Sequence, residues 1–531
     1  MAESSGEIYK AKRKTENQRP WLILMLVFSA LLLLPSIVLL YQNLQFKLPI
    51  SGNISEAWHD GLWQFLQRVP LNLSRKTVSI LADGLSWLAT GGLLLCYWQL
   101  LLQQKTPRQP EETSWTSGRV WAWCLGISSV LLAVVPFHSR DVYGYINRGV
   151  QQAFYGINPY KVAVGEMPGW QNDPVFQNHW VDNPCPYGFF YAKLAKGLAF
   201  LGGHEFWTSF LVFKVSVVLV HLGIVWLLYQ FAIRLNRPSP VWLMALYALS
   251  PLVLLQQIAN GHNDGFLALG LIGALMLLFQ NRFQLFAWPT LLLSVLTKYS
   301  SLLAAPFMLV YAIRKREWKN LAAGSLIALS LLLAFAFCYL QDWQHMPWDR
   351  MAENAGKSQH SIQAALARVV YYLALPFTSN AGDLLEMTRS VLKKIFLFGF
   401  SVFYGVRVWR FWQNSLDNEK IRDRLLYEVA LTMSVYLLLA SAKFHAWYLG
   451  MILPVVFLLN PDIQKHRRLM LAVFWVSVFQ LLAFTPLENI HIVGPLLLIV
   501  LPICLSQKKI RPKNAASESQ FRSAPPMRSR R

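Results

Sequence analysis

Asp141 is the residue whose type and position best suit acid–base chemistry. It follows an apolar run, within Ser139-Arg140-Asp141-Val142-Tyr143-Gly144-Tyr145. At helical spacing, Asp141, Tyr145 and Arg148 share one face. A carboxylate at the end of a membrane span can take a proton from a hydroxyl group, as general-base catalysis requires. It would equally suit the cap of a helix that begins there, so the residue types alone leave both interpretations open.

A second polar group, His262-Asn263-Asp264, comes immediately before an apolar run. Asn263 or Asp264 would make a good N-cap for a helix in that run. The three side chains could instead orient a substrate or hold a divalent cation, although two or three such groups do not define a metal site. We therefore predict a substrate-binding role here and leave a metal open.

Lys298 interrupts an apolar stretch between Thr297 and Tyr299. A cation near membrane depth is costly and marks a functional candidate, unless the chain snorkels to the interface. Its functional interpretation is a phosphate ligand, a role that Lys443, His445 or Arg148 could share. In the same late segment, Trp447 and Tyr448 could contact substrate or serve as interface aromatics.

Two turn motifs combine aromatic rings with amides. They are Tyr155-Gly156-Ile157-Asn158-Pro159-Tyr160 and Asn183-Pro184-Cys185-Pro186-Tyr187-Gly188. Gly, Pro and Asn are typical of loops, so the motifs could be turn signals alone. Rings pack on sugar faces while amides bind hydroxyl groups, and Asn158, Tyr160 and Tyr187 are therefore predicted to bind substrate.

The elements that position these residues are predicted to be membrane helices. Of 531 residues, 55% are hydrophobic and 14% are charged, whereas ordinary soluble domains have roughly 25% charged residues. Apolar runs near the length that crosses a bilayer recur along the chain, so we predict an all-α polytopic membrane protein of about 12–14 transmembrane helices. The predicted spans are 21–41, 77–102, 119–137, 205–235, 241–259, 265–280, 284–297, 299–313, 319–341, 393–413, 425–441, 446–460, 468–486 and 491–506.

The basic residues predict the orientation in the membrane. The net charge is +22, with Lys and Arg clustered in short segments beside apolar runs. Such clusters indicate cytosolic loops and contact with anionic lipid rather than nucleic-acid binding. With both termini cytosolic, the loops 43–75, 138–204 and 342–392 lie outside a bacterial inner membrane, and all the candidate residues fall on that side. A site at the outer membrane–water boundary is therefore predicted.

The chain is predicted to hold a single large domain. Residues 1–20 form a cytosolic segment, 21–507 the transmembrane domain, and 508–531 a disordered basic cytosolic tail. Within the outer loops, the stretches 140–155 and 189–201 are amphipathic, which predicts helices at the membrane surface.

Taken together, the motifs resemble the C-type integral-membrane glycosyltransferases. They look most like the bacterial alpha-1,6-mannosyltransferases that use polyprenol-phosphate-mannose. The matching residues lie in family order over 119–460: Ser139 to Tyr145, Gly156 to Tyr160, Pro186 to Gly188, Gly261-His262-Asn263-Asp264-Gly265, Lys298, and Trp447 with Tyr448.

This resemblance implies that Asp141 is the catalytic base of an inverting displacement. The donor would be a sugar on a polyprenyl phosphate, with mannose expected, and the acceptor a glycan or glycolipid outside the membrane. No cofactor is certain, because a Lys or Arg could neutralise the leaving phosphate in place of a metal.

A transporter or flippase for a lipid-linked sugar is the alternative class of protein. It would use the outer pocket as one end of a path and Lys214 with His221 as polar residues in mid-membrane. The sequence lacks the internal repeats that many transporters carry, and its polar motifs gather on one side. The residues would also suit a non-catalytic scaffold, or a transferase for another lipid-linked group such as aminoarabinose or phosphoethanolamine.

Overall fold

The structure, a computed structural model, describes most of the predicted transmembrane domain. The described residues are 18–37, 75–103, 115–341, 344, 346, 347, 349, 350, 360–378, 380–413, 418–482 and 496–506. The predicted tail 508–531, nearly all of the loop 43–75, most of segment 1–20 and part of the loop 342–392 lie outside them.

The described part of the chain is helical and has no β-strand, so the predicted all-α class is confirmed. Its α-helices are α1 (Gln18–Ile37), α2 (Arg75–Gln103), α3 (Ser117–Leu132), α4 (Asp141–Ala153), α5 (Phe189–Gly202), α6 (Phe206–Arg234), α7 (Pro240–Ala248), α8 (Asp264–Leu278), α9 (Ala287–Val295), α10 (Ala305–Arg314), α11 (Trp318–Tyr339), α12 (Ile362–Ala374), α13 (Ala381–Gln413), α14 (Asn418–Val435), α15 (Leu453–Phe457), α16 (Gln464–Leu482) and α17 (Leu501–Ser506). Three π-helices, Val253–Ala259, Tyr436–Ala440 and Leu496–Val500, and 3-10 helices including Tyr299–Ala304 and Ala446–Met451 complete the bundle.

Long apolar helices make this a multi-pass membrane protein. Among the described residues, α1, the segment Ile80–Leu102 of α2, α6 and α11 are long and apolar enough to cross a bilayer. The helix α7 and the following π-helix, bent by 56°, would together make a fifth span. The other predicted spans coincide with shorter or interrupted helices, so the count of 12–14 stays a prediction.

Helix α6 packs against α5, α7 and α8. Its residues Phe213, Val217, Ile224 and Leu228 recur at helical spacing and are buried in the core. By contrast, only 6% of the apolar window of α11 is buried. An apolar helix that the protein leaves uncovered faces lipid, which is the environment its side chains prefer.

Helices are present at both stretches predicted to lie at the membrane surface, as α4 and α5. The predicted surface position is wrong for α4, which is buried from Val142 to Gln152. The two helices approach closely at Gly149, where a Cβ atom would lie 2.4 Å from the carbonyl oxygen of Ala195. On the opposite side of α5, Phe200 and Leu201 are 70% and 74% exposed. The helix therefore packs its small residues against α4 and presents large apolar ones outward.

The start of α5 is docked on the chain just before Lys298. The backbone N–H of Gly188 donates to the carbonyl of Thr297 at 3.1 Å, and that of Phe190 to the carbonyl of Leu296 at 3.0 Å. A Cβ atom on Gly188 would lie 2.2 Å from the Leu296 oxygen. The Pro-Tyr-Gly turn thus has a structural reason, because only glycine allows this approach of two backbones.

We expect Gly188→Ala to destabilise the protein by about 1–3 kcal/mol, because the backbones must separate to admit the methyl group. The measurement is thermal unfolding of the detergent-solubilised protein. Gly197→Ala is the matched control, since a Cβ atom there, also on α5, meets nothing within 4 Å. Equal melting temperatures for the two variants would contradict the close approach.

Candidate active site

Asp141 is the first residue of α4, and its side chain is 19% exposed. The indole Nε1–H of Trp180 donates a hydrogen bond to Oδ1 at 3.0 Å. His179 Nε2 lies 3.6 Å from the same oxygen, and His262 Nδ1 lies 3.7 Å from Oδ2. The carboxylate thus meets side chains from two other segments and keeps access to solvent.

Neither candidate acid acts as a helix cap. The N-cap of α4 is Arg140, and the Asp141 N–H donates to Ser139 Oγ at 3.3 Å. The N-cap of α8 is Asn263, whose side chain makes no capping hydrogen bond. Asn263 thus occupies the N-cap position predicted for it, but neither N-cap side chain makes a capping hydrogen bond.

His262 begins a stack of three rings. Its ring lies 4.1 Å from that of Trp447 at an interplanar angle of 13°, and the Trp447 ring lies 4.3 Å from that of His445 at 3°. His262 is fully buried. Parallel stacking of this kind fixes the plane of the imidazole beside Asp141 and joins the middle of the chain to the late motif.

Lys298 forms an ion pair with Asp264, with Nζ 2.7 Å from Oδ1. The side chain of Asp264 is fully buried, whereas that of Lys298 is 18% exposed. The ammonium group also lies 4.9 Å from the ring centroid of Tyr448. The ammonium group is thereby held by a carboxylate and an aromatic ring.

Buried polar atoms without a hydrogen-bonding partner collect at this site. Among the described residues they include both ring nitrogens of His262, Nδ2 of Asn263 and Oδ2 of Asp264. The Oδ1 atom of Asn263, in contrast, accepts a hydrogen bond from the Tyr145 hydroxyl at 3.3 Å. Unpaired buried polar groups are uncommon in folded proteins and indicate a functional role where they cluster.

Two buried side chains join the segments that carry Asp141 and His262. The ammonium group of Lys214 donates to the carbonyls of Ile258 and Ala259 at 2.5 Å each, and to that of Val134 at 3.2 Å. Asn260 Oδ1 accepts the backbone N–H groups of residues 137 and 138, both at 3.0 Å. Lys214 and Asn260 therefore connect the segment before Asp141 to the segment before His262.

Other predicted substrate-binding residues are engaged within the protein. The guanidinium of Arg148 donates to the carbonyls of Gly144, Trp180 and Asn183, each at 3.0 Å. Asn158 Nδ2 donates to the Tyr339 carbonyl at 2.8 Å. These side chains brace the outer loop, so their predicted contact with substrate is not favoured by their placement.

The remaining predicted residues differ in how accessible they are. Tyr160 is fully buried, with its hydroxyl donating to the Tyr187 carbonyl at 2.7 Å. Tyr187 itself is half-buried, with its ring edge-on to Tyr145 at 5.1 Å. Arg140 is exposed and Lys443 is half-buried, so these two basic side chains can be reached by a ligand.

The surroundings of Asp141 favour its ionised form. Burial alone would raise the pKa of this carboxyl group, but the contacts from His179 and Trp180 hold the pKa below its usual range. Burial lowers the pKa of His262 to about 3. At neutral pH the site therefore combines an anionic Asp141 with a neutral imidazole.

His179 and Trp180 were not among the predicted site residues, although both contact Asp141. Trp180 has a positive φ of 54°, a strained conformation that costs a bulky residue on the order of 1–3 kcal/mol. Its side chain is 49% exposed. The sequence signal that could have been used is a His-Trp pair in the same loop as Asp141.

No group of three or more His, Cys, Asp or Glu side chains is arranged to hold a metal ion within the ranges that the structure describes. The divalent cation left open by the sequence thus has no assigned set of ligands.

Comparisons with known proteins point to the same class as the site. Residues 50–314 match the family model described as alpha-(1->6)-mannopyranosyltransferase, N-terminal domain. This range includes Asp141, Asp264 and Lys298, but not the segment from Lys443 to Tyr448. No solved structure gives a significant match to the chain.

Three mycobacterial relatives carry the same name. A probable alpha-(1->6)-mannopyranosyltransferase of Mycolicibacterium smegmatis is 28% identical over 39% of this chain and 35% of its own length. Alpha-(1->6)-mannopyranosyltransferase A of Mycobacterium tuberculosis is 23% identical over 77% of this chain and 76% of its own length. Another alpha-(1->6)-mannopyranosyltransferase of that organism is 30% identical over 27% and 24%.

The names of these relatives describe hexosyltransferases, and the comparisons therefore relate this helical membrane protein to that class of enzyme. The chain is similar to the alpha-(1->6)-mannopyranosyltransferases over residues 50–314, just under half of its length. The matched regions span about a third of the first relative and three-quarters of the second.

We expect Lys214→Met to destabilise the protein by about 2–3 kcal/mol or more, because three buried carbonyls lose their shared donor. Thermal unfolding in detergent measures the effect, and Lys193→Met, at an exposed lysine of α5, is the control. An unchanged melting temperature for Lys214→Met would mean that the three carbonyls find other partners.

Proposed function

We propose that this protein transfers a mannosyl group from a polyprenyl-phosphate donor to a hydroxyl group of a glycan or glycolipid acceptor. The transfer takes place on the outer face of the membrane, by a single displacement with Asp141 as general base. The observation that carries the proposal is the position of Asp141, the accessible carboxylate of a site whose other acid, Asp264, is buried and paired with Lys298.

The chemistry requires one proton acceptor and one leaving group. The acceptor oxygen forms a bond to the anomeric carbon as the bond from that carbon to the phosphate oxygen breaks. The electron pair of the broken bond stays with the polyprenyl phosphate, and the hydroxyl proton passes to Asp141. Since a single displacement inverts the anomeric centre, an alpha product as named for the relatives requires a beta-linked donor.

Lys298 is the residue best placed to bind the donor phosphate. Its ammonium group is partly exposed and is held by Asp264 and the Tyr448 ring. Tyr299 and Leu302, which follow it, are 54% and 56% exposed. Apolar side chains exposed beside a cation suit a donor that arrives through the lipid, with its chain in the bilayer and its phosphate at the interface.

The outer-face location rests on the separation of the basic clusters from the site. Arg237 donates to the Leu458 carbonyl at 2.7 Å, and Arg407 makes two hydrogen bonds of 2.7 Å to Glu428. These contacts connect chain segments at the helix ends that are predicted to face the cytosol. The candidate catalytic residues come from the loops at the opposite ends of the same helices, which supports an extracytoplasmic site.

Asp141→Asn is expected to lower transfer by about 10²–10⁴-fold, the usual contribution of a general base. The assay uses purified protein in lipid vesicles, radiolabelled polyprenyl-phosphate-mannose and alpha-(1->6)-linked mannobiose, with and without chelator. Asp182→Asn is the control, because Asp182 is exposed in the same outer loop. Equal transfer by wild type and Asp141→Asn would remove Asp141 as the base, and loss of transfer with chelator would establish a metal.

Lys298→Gln should raise the KM for the donor about 10–100-fold, as expected for a lost charged hydrogen bond. The single variant also leaves Asp264 buried and unpaired, which by itself is destabilising. The double variant Asp264→Asn/Lys298→Gln removes both charges and separates the effects. A donor KM that stays high in the double variant supports phosphate binding, whereas recovery to the wild-type KM would show that Lys298 only neutralises Asp264.

A further inference from the structure

Trp180 differs from the other residues around Asp141 in its exposure. His262 and Asn263 are fully buried, and Trp447 is 9% exposed, whereas Trp180 is 49% exposed. It is thus the aromatic side chain next to the carboxylate that a water-borne molecule can reach. Of the rings predicted from the turn motifs, Tyr160 is fully buried, and Tyr187 is half-buried with its ring edge-on to Tyr145.

The backbone that carries Trp180 is held by two hydrogen bonds from side chains of α4. The Trp180 carbonyl accepts a hydrogen bond from Arg148 at 3.0 Å, and Asn147 Nδ2 donates to the Gln177 carbonyl at 2.6 Å. Both donors belong to α4, the helix that begins with Asp141. A single helix therefore sets the carboxylate and the indole relative to each other, and holds Trp180 at its positive φ.

The indole leaves one carboxylate oxygen for a substrate. Its Nε1–H occupies Oδ1, while Oδ2 has His262 Nδ1 at 3.7 Å, beyond hydrogen-bonding distance. A tryptophan face covers about the area of one pyranose ring, and the C–H groups of a sugar pack against such a face. A sugar that rests on this indole lies next to the carboxylate to which the indole N–H is bonded.

Two sugars meet at the reaction centre, and the structure favours the acceptor for this position. Lys298 lies next to the lipid-exposed residues Tyr299 and Leu302, which suits the donor. Trp180 belongs to the loop between α4 and α5, where Asp182 is also exposed, and Arg140 is exposed at the start of α4. A hydrophilic glycan approaches from the aqueous side and must contact the base, whereas the donor must contact a cation.

We propose that the exposed face of Trp180 is the platform on which the acceptor sugar stacks while presenting a hydroxyl group to Asp141, an inference that rests on the proposed function. Trp180 is then a specificity-determining residue for the acceptor. It also positions Asp141 through its N–H group, and the two roles can be separated by substitution.

The first test measures binding without transfer. Saturation-transfer NMR records alpha-(1->6)-linked mannobiose with wild type, Trp180→Ala, Trp180→Phe and the control Trp226→Ala, at a residue of α6 that is 51% exposed. We expect Trp180→Ala to weaken binding about tenfold or more, as for loss of an aromatic anchor, and the other two variants to bind like wild type. Unchanged binding by Trp180→Ala overturns the platform.

The second test measures transfer in lipid vesicles with each substrate varied in turn. Trp180→Ala should raise the acceptor KM about tenfold while the donor KM stays within about threefold. Trp180→Phe should retain the acceptor KM, but move the acid limb of kcat/KM to higher pH, because Asp141 loses a hydrogen bond that lowers its pKa. The proposal is overturned if Trp180→Ala raises only the donor KM. It is also overturned if Trp180→Ala and Trp180→Phe have equal effects and both leave the acceptor KM at the wild-type value.

The two tests also distinguish failure of this inference from failure of the proposed function. A wild type that binds mannobiose through Trp180 but transfers nothing from polyprenyl-phosphate-mannose would refute the donor and leave the platform standing. A wild type that transfers normally, with a Trp180→Ala variant that does the same, would refute the platform alone.

Discussion

The site depends on the hydrogen-bond donors that pair with backbone carbonyls at the ends of interrupted helices inside an apolar bundle. A helix that stops within a membrane protein leaves carbonyl groups that no water can reach, at a cost of several kcal/mol for each one left unpaired. In this protein the donors come from distant elements. Lys214 binds the carbonyls of 258 and 259, the Gln363 amide binds those of 439 and 440 at 3.0 and 2.8 Å, and the start of α5 binds those of 296 and 297. Each of these helix ends comes immediately before a site segment, so the same contacts that permit the break also place the reactive side chains.

Two of these helix interruptions are π-helices that come shortly before residues of the site. The π-helices Val253–Ala259 and Tyr436–Ala440 precede His262 and His445, the outer two rings of the stack around Trp447. A π-helix adds a residue to the turn and rotates the residues after it, which is why such segments recur at functional sites. An unbroken helix would satisfy its own backbone and would need no such donors. The bundle accepts the interruption because Lys214 and Gln363 supply the missing donors.

The sequence predicted which polar residues lie close together more successfully than it predicted the contacts that each of them makes. The Lys and Arg residues placed several loops on one side, which grouped Asp141, His262 to Asp264, Lys298 and the late aromatic motif, and the structure brings these residues together.

Contacts within a loop could not be predicted in the same way. Arg148 and Tyr160 have the residue types of ligand-binding groups, but they point inward to backbone carbonyls. Trp180 resembled an ordinary loop aromatic, because its positive φ and its bond to Asp141 depend on residues far along the chain. The number of spans was equally hard to predict, because the hydropathy of the sequence does not reveal the 56° bend between α7 and the next π-helix.

The two oxygens of Asp141 face different surroundings, and this asymmetry suits a transfer between two sugars. One oxygen is fixed by an exposed indole, and the other faces a buried imidazole that stays neutral at physiological pH because burial lowers its pKa to about 3. A charged His262 would pair with the carboxylate and compete with an incoming hydroxyl group, whereas a neutral one leaves Oδ2 ready to accept a proton. The cation that the proposed reaction needs is assigned to Lys298, which is paired with Asp264 in the structure. In the proposed mechanism the proton acceptor, Asp141, and the phosphate-binding cation, Lys298, are not paired with each other. A single Asp–Lys pair at the reaction centre would neutralise both charges.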